Sequence, residues 1–246
     1  MNYDNLLIEI KEYESNLYDD IRKKSIFKPK TKEELQKVVN QYMKKDYQGK
    51  RDINMWDVSN IKDMNNLFAD NITSLQNVNS DRYILPLNDI AYWDVSNVTN
   101  MQGMFTACRC IGGNLNNWDV SNVTDMSYMF SYTCGITFSR RFMDWELDGI
   151  DIDIDKWDVS KVIDMGDMFS YSKILNLDIG QWDVFNVLYM DHMFAEFEFY
   201  DDLSSWDVIN VIYVNGMYYN CTMIKKFQPK FHLHNLISPL SSINNP

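Results

Sequence analysis

The chain has 246 residues, 46% of them hydrophobic and 24% charged, with a net charge of −12. That composition excludes wholesale disorder and gives length for one large domain or two small ones. The charge is uneven: residues 1–50 hold 11 Lys/Arg against 9 Asp/Glu, and residues 51–246 hold 12 against 26, so the body repels phosphates and nucleic acid is not expected as a partner.

In chain order, residues 1–50 are expected to form a helical cap. Leu6, Leu7, Ile10 and Tyr13 fit one face of a helix. Thr31 with Glu34 reads as a capping box that opens a second helix through Leu35, Val38, Val39 and Tyr42, with Pro29 between the two. The first residues lack the basic and apolar regions of an export signal, and no run approaches 18 apolar residues. Four cysteines, Cys108, Cys110, Cys134 and Cys221, are too few for a disulfide framework. The expectation is an intracellular, monomeric protein with no membrane insertion.

From residue 51 a phrase close to WDVSNVTDM returns six times, on Trp56, Trp93, Trp118, Trp157, Trp182 and Trp206, at spacings of 37, 25, 39, 25 and 24 residues. A self-similar period near 25 is the mark of a stacked repeat. Three residues before each Trp stands Ile or Leu, and two after it stands Val (Ile154, Trp157 and Val159 in the fourth unit). This L-x-x-W-x-V pattern predicts a short strand with Trp and Val inward and the intervening Asp outward. The period then lengthens: Val123, Met126, Met129 and Phe130 share one side of a short helix or helical turn, with Asn122 and Asp125 at its start. Ten of the fifteen Met occupy the two repeated Met positions, where an unbranched side chain fills gaps between layers.

Two spacings exceed the period, which places insertions near 70–89 and 135–153. Insertions in repeat arrays become loops on one face, often the binding face. The second carries Arg140, Arg141 and Trp145, residue types enriched at interface hot spots; the alternative is a loop that buries its own aromatics. Residues 225–246 are expected as an apolar capping tail that uses Phe227, Phe231, Leu233, Leu236 and Ile237.

The candidate binding residues are the aspartates that follow the tryptophans: Asp57, Asp94, Asp119, Asp158, Asp183 and Asp207. Stacked units bring six carboxylates into one column, where like charges repel. Two readings stand side by side. Each Asp accepts hydrogen bonds from its own turn, or the column is an acidic strip for a basic partner or cations. Asp151–Asp155 reads D-I-D-I-D without the Gly and distal Glu of a calcium loop, and fits a strand better. Cys108 reads as a buried free thiol. No phosphate-binding glycine loop, nucleophile elbow or H-E-x-x-H occurs, so no catalytic residue, metal or cofactor is assigned.

WDVSNVTDMSYMF (118–130) resembles the repeat of the BspA-like leucine-rich repeat family, in the variety found in mycoplasma-type surface proteins and large DNA viruses, and FKPKTKEELQKVVNQY (27–42) resembles the helical segment that precedes such repeats. The resemblance spans about residues 27–224. It implies a right-handed leucine-rich-repeat-like α/β solenoid of six units over 51–224, and a non-enzymatic interaction scaffold that presents an acidic face and two loops to a protein partner. A structural component of a virus particle is the alternative, in host cytoplasm or virion, and a surface adhesin a further one.

Overall fold

The computed structural model describes residues 27–43, 53–69, 85–139, 144–223 and 225–231. The expected helix through Leu6 to Tyr13, most of the first insertion, and Leu233, Leu236 and Ile237 of the tail lie outside the described residues.

Helix α1 spans Lys32–Tyr42 and is the sole α-helix among the described residues. Thr31 caps it: its Oγ1 accepts the Glu34 N–H at 3.3 Å. Glu34 Oε2 reaches back to the Lys30 N–H at 2.8 Å, one residue before the donor a standard capping box would use. Leu35 and Val39 are buried. The helix lies on the first unit through Gln36 Nε2, which donates to Leu67 O at 2.8 Å, and through Lys32 Nζ on Asn65 Oδ1. Phe27 forms a parallel bridge with Trp56 and packs edge-on against its ring.

Within each unit the inward residues are joined by backbone turns closed from residue i to i−3. In the fourth unit Trp157 N–H donates to Ile154 O, Val162 to Val159 O, Met168 to Met165 O, Ser170 to Asp167 O and Ser172 to Phe169 O, all at 2.9–3.2 Å. The Val–Met–Met–Phe stretch, expected as a short helix, is therefore a run of tight turns. A three-residue hop between inward positions imitates the spacing of a helical face. The difference lies in two residues per unit, ten and fourteen after the Trp, with φ near +55°: Tyr128 and Tyr132, Asp167 and Tyr171, His192 and Glu196. Positive φ at the third residue marks a type II turn and breaks a right-handed helix. Glycine fills the first of these places at Gly103 and Gly216. A side chain at Gly103 would put its Cβ 2.4 Å from Asn66 Oδ1, so that glycine also allows a close approach.

The N–H groups that the turns leave free point to the next unit. Met126, Tyr128, Phe130 and Tyr132 donate to the carbonyls of Asp164, Gly166, Met168 and Ser170 at 2.8–2.9 Å. The same four bonds recur from the fourth unit to the fifth, where Met165, Asp167, Phe169 and Tyr171 donate to Tyr189, Asp191, Met193 and Ala195. Parallel bridges run through Asp63, Asn100, Asp125, Asp164, Tyr189 and Tyr213, one per unit. The units thus sit in register, each residue above its counterpart.

Among the described residues, seven short strands fall between the turn series of one unit and the Ile or Leu that opens the next: β1 Leu85–Pro86, β2 Arg109–Ile111, β3 Gly113–Asn114, β4 Cys134–Ser139, β5 Asp144–Asp148, β6 Ile150–Asp153 and β7 Ile174–Leu175. β1, β2 and β4 pair in parallel, as do β3, β6 and β7. β4 and β5 form an antiparallel hairpin that is the second insertion. β6 takes in the first three residues of the D-I-D-I-D run, with Ile150 and Ile152 buried and Asp151 and Asp153 exposed. The Trp-Asp-Val stretch, expected as strand, is tied to its neighbours by side chains instead, because turns use the N–H groups around it.

Each Trp from the second unit on donates its indole Nε1–H to the carbonyl of the Ile or Leu that opens the preceding unit: Trp93 to Ile53, Trp118 to Ile90, Trp157 to Leu115, Trp182 to Ile154 and Trp206 to Ile179, at 2.9–3.3 Å. The rings lie parallel, with centroids 6.2 Å apart for Trp118–Trp157 and 6.4 Å for Trp157–Trp182. The 39-residue spacing between Trp118 and Trp157 leaves this step unchanged, so the extra residues loop away from the stack. Repeated Met and Phe side chains fill the interior, with Met126, Met129, Phe130, Met165, Met168 and Phe169 all fully buried. At the far end Leu203 N–H donates to Phe227 O at 2.8 Å, and Phe227 and Phe231 pack half-buried against the core.

Trp56 Nε1 is buried and has no partner among the described residues. Trp157→Phe loses its indole bond and leaves the Leu115 carbonyl with the Trp118 N–H alone, whereas Trp56→Phe changes the same volume without a bond to lose. In urea unfolding, Trp157→Phe is expected to cost about 1 kcal/mol more than Trp56→Phe. Equal losses would contradict the bonding pattern.

Candidate functional site

The aspartate that follows each Trp closes a local turn. Its Oδ1 accepts the N–H two residues on: Asp57 from Ser59, Asp94 from Ser96, Asp119 from Ser121, Asp158 from Ser160, Asp183 from Phe185 and Asp207 from Ile209, at 3.0–3.2 Å. In the first two units the Ser hydroxyl donates to the same oxygen as well. These are Asx turns, and they explain why Asp is repeated there irrespective of any partner. They also place the carboxylates outward: Asp119, Asp158, Asp183 and Asp207 are exposed.

The two ends of the column differ. Asp57 is buried and pairs with Lys28 at 2.5 Å. Burial raises its pKa, but the Lys28 ammonium and the Ser59 donors outweigh that and hold the carboxyl below its usual value. Asp158 is held below its usual value by the Ser160 hydroxyl and N–H. An asparagine ladder runs beside the column. Asn97, Asn122, Asn186 and Asn210 each donate Nδ2–H to a carbonyl of the unit before (Ser59, Ser96, Ser160 and Phe185), at 2.7–2.9 Å. The fourth unit carries Lys161 in that place, and its Nζ donates to Asn122 Oδ1 at 2.8 Å.

A second acidic group was missed from sequence. Asp63, Asn100, Asp125 and Asp164 occupy the bridge position, seven after the Trp, where the pattern reads as the start of a helix. Each caps a turn of its own through Oδ1, to Asn65, Gln102, Ser127 and Gly166 N–H groups at 2.8–2.9 Å. Asp167 and Asp191 stand close by. Burial pushes the Asp164 carboxyl above its usual value; the Gly166 N–H opposes this, and the charges of Asp125, Asp191 and Asp167 add to it. His192 Nδ1 lies 3.9 Å from Asp167 Oδ2 and is exposed, not a core residue. The sequence carries a signal for it: Asp or Asn recurs at this position in four of the six units, against six of six for the Asp beside the Trp. A tyrosine pair also stands out on the surface, Tyr132 on Tyr171, with rings parallel and centroids 4.8 Å apart.

Of the other candidates, Arg140 and Arg141 lie outside the described residues, and Trp145 is placed only by its backbone, opposite Phe138 in the β4–β5 hairpin. Cys108 is buried, as expected. No group of three potential ligands that could hold a metal ion occurs among the described residues, and none of their helices is long and apolar enough to cross a membrane.

An interior filled by repeated Trp, Val, Met and Phe, with acidic and polar columns outside, defines a repeat protein whose chemistry lies on its surface. The chain belongs to the family described as Mycoplasma protein of unknown function, DUF285, which it matches over residues 33–151 and again over 136–243. No curated protein and no solved structure matches it.

The raised pKa of Asp164 gives a test of the second column. As pH falls the folded chain takes up this proton before the unfolded chain does, so the ionised form costs stability at neutral pH and the cost is relieved through the folded-state pKa. Asp164→Asn keeps the Oδ1 acceptor, as Asn100 does two column steps away, and removes the charge. It is expected to stabilise by about 0.5 kcal/mol at neutral pH, with the gain shrinking as the solution is acidified. Urea midpoints over that pH range check it; a loss of stability at neutral pH would contradict it.

Proposed function

We propose that the chain is a non-enzymatic interaction scaffold, built as a right-handed leucine-rich-repeat-like solenoid of six units, whose acidic outer face and insertion loops meet a basic protein partner. The observation that carries this reading is the column of exposed carboxylates at Asp119, Asp158, Asp183 and Asp207, held in register by the stack beneath. Each uses one oxygen within its own turn, so their orientation is fixed before any partner arrives, and a preorganised charge array loses little entropy on binding. Such a field steers a cationic partner and repels nucleic acid and like-charged proteins. Family membership agrees with a repeat protein and assigns no reaction.

The test separates charge from fold. Asp119→Asn, Asp158→Asn and Asp183→Asn together keep the turn acceptors and remove three charges. Affinity capture from the native cell, with partners identified by mass spectrometry, is expected to lose its captured proteins with this triple variant and to show weaker capture at higher salt. An unchanged set of partners would remove the acidic face as the contact.

A further inference from the structure

The outward positions of the repeat change character along the stack. Six residues after the Trp, the first three units carry Lys62, Thr99 and Thr124; the last three carry Ile163, Leu188 and Ile212. Three after the Trp, Ser59, Ser96, Ser121 and Ser160 give way to Phe185. At the bridge position, Asp and Asn give way to Tyr189 and Tyr213, whose rings stack at 5.3 Å. Ile163 and Phe185 are 41% and 44% exposed, and Leu188, Ile212, Tyr189 and Tyr213 are half-buried.

The fold does not ask for this. The backbone bonds of the column are the same in both halves: Thr124 N–H to Thr99 O, Leu188 to Ile163 O and Ile212 to Leu188 O, at 2.9–3.0 Å. Polar residues serve the first half equally well. Those bonds, and the Asn210 bond to Phe185 O, hold the apolar side chains in register on one edge of the last three units. A contiguous exposed apolar patch with a polar rim marks an interaction site.

We propose that this edge is a docking surface for a polypeptide segment with apolar side chains flanked by Lys or Arg. The rim selects the occupant. Asp158, Asp183 and Asp207 are exposed along the adjoining column, and Lys161, in the unit of Asp158, donates to Asn122. A second copy of this chain would set an acidic rim against an acidic rim, which is unfavourable. A basic-flanked apolar segment satisfies both parts, anchors in the patch and charges on the rim. The inference rests on the scaffold reading and adds to it the place and the partner's chemistry.

The experiment pans a random-sequence peptide-display library on the full chain, then measures the enriched peptides by fluorescence anisotropy against the native protein and two variants. Phe185→Ser, Leu188→Thr and Ile212→Thr install the residues of the first units; Phe185→Ser alone serves if the triple variant loses its circular dichroism spectrum. Enriched peptides are expected to combine apolar residues with Lys or Arg and to lose at least about tenfold in affinity on the variant. Peptides that bind the variant equally, or that lack basic residues, overturn this edge and leave the scaffold reading in place; enrichment of no peptide counts against both. Native dimers in sedimentation that the variant dissociates would make a second copy the occupant and overturn the proposal.

Discussion

The backbone of one unit supplies hydrogen bonds to the next at every second residue of the turn series, and most other features follow from that alternation. A buried peptide N–H left without an acceptor is expensive. From Met126 to Thr133 each N–H closes its own turn, meets an Asx carboxylate or reaches across to the neighbouring unit. Such a scheme works only if consecutive units are superposable. Two residues per unit must then accept φ near +55°, a conformation that costs an ordinary residue about 1 kcal/mol. Tyr128, Tyr132, Tyr171 and Glu196 adopt it nonetheless, because the turn on one side and the cross-unit bond on the other fix the chain there.

Superposition has a second consequence: like side chains stack on like. Inside, this favours the fold. Flat Trp and Phe rings lie parallel, each indole from the second unit on finds the same carbonyl one unit back, and Met fills the remaining space. Outside, it is a liability, because an Asp in every unit becomes a row of charges. The chain limits the cost by giving each carboxylate N–H donors in its own turn and by setting an amide ladder beside the row. Residual repulsion shows at Asp164, whose carboxyl is pushed up by burial and by three neighbouring acids, against the pull of the Gly166 N–H. Any surface that persists despite that cost is a candidate for selection by a partner. So is a surface that departs from the repeat without need, as the outer edge of the last three units does.

Much of this was legible in the sequence. The six tryptophans set the register, and the inward set of Ile or Leu, Trp, Val, Met and Phe is buried throughout. The Thr31 cap and the strand over Asp151–Asp153 follow from local pattern, and the buried Cys108 from the family resemblance. The turn series was not, because inward residues three apart have the same spacing on a helix and on a chain of tight turns. What separates the two is backbone φ, and Tyr, His and Glu at the left-handed positions give no warning of it. The sequence leaves both roles of the Asp beside the Trp open; the structure supplies its turn bond. The second acidic group was hidden by the helix reading, which turned its members into first-turn acids.

The central claim is that each unit is an equivalent layer bonded to the next at the same positions, and removal of a whole layer tests it most directly. Deleting residues 179–202 takes out the fifth unit and sets Leu203 where Ile179 stood, so Met165, Asp167, Phe169 and Tyr171 meet Tyr213, Asn215, Met217 and Tyr219 as their new acceptors. The account predicts a folded protein with the native far-ultraviolet spectrum and a single, slightly earlier urea transition, while deletion of 179–190 alone, half a unit, abolishes the fold. If the whole-unit and half-unit deletions unfold alike, the layers are not equivalent and the account fails.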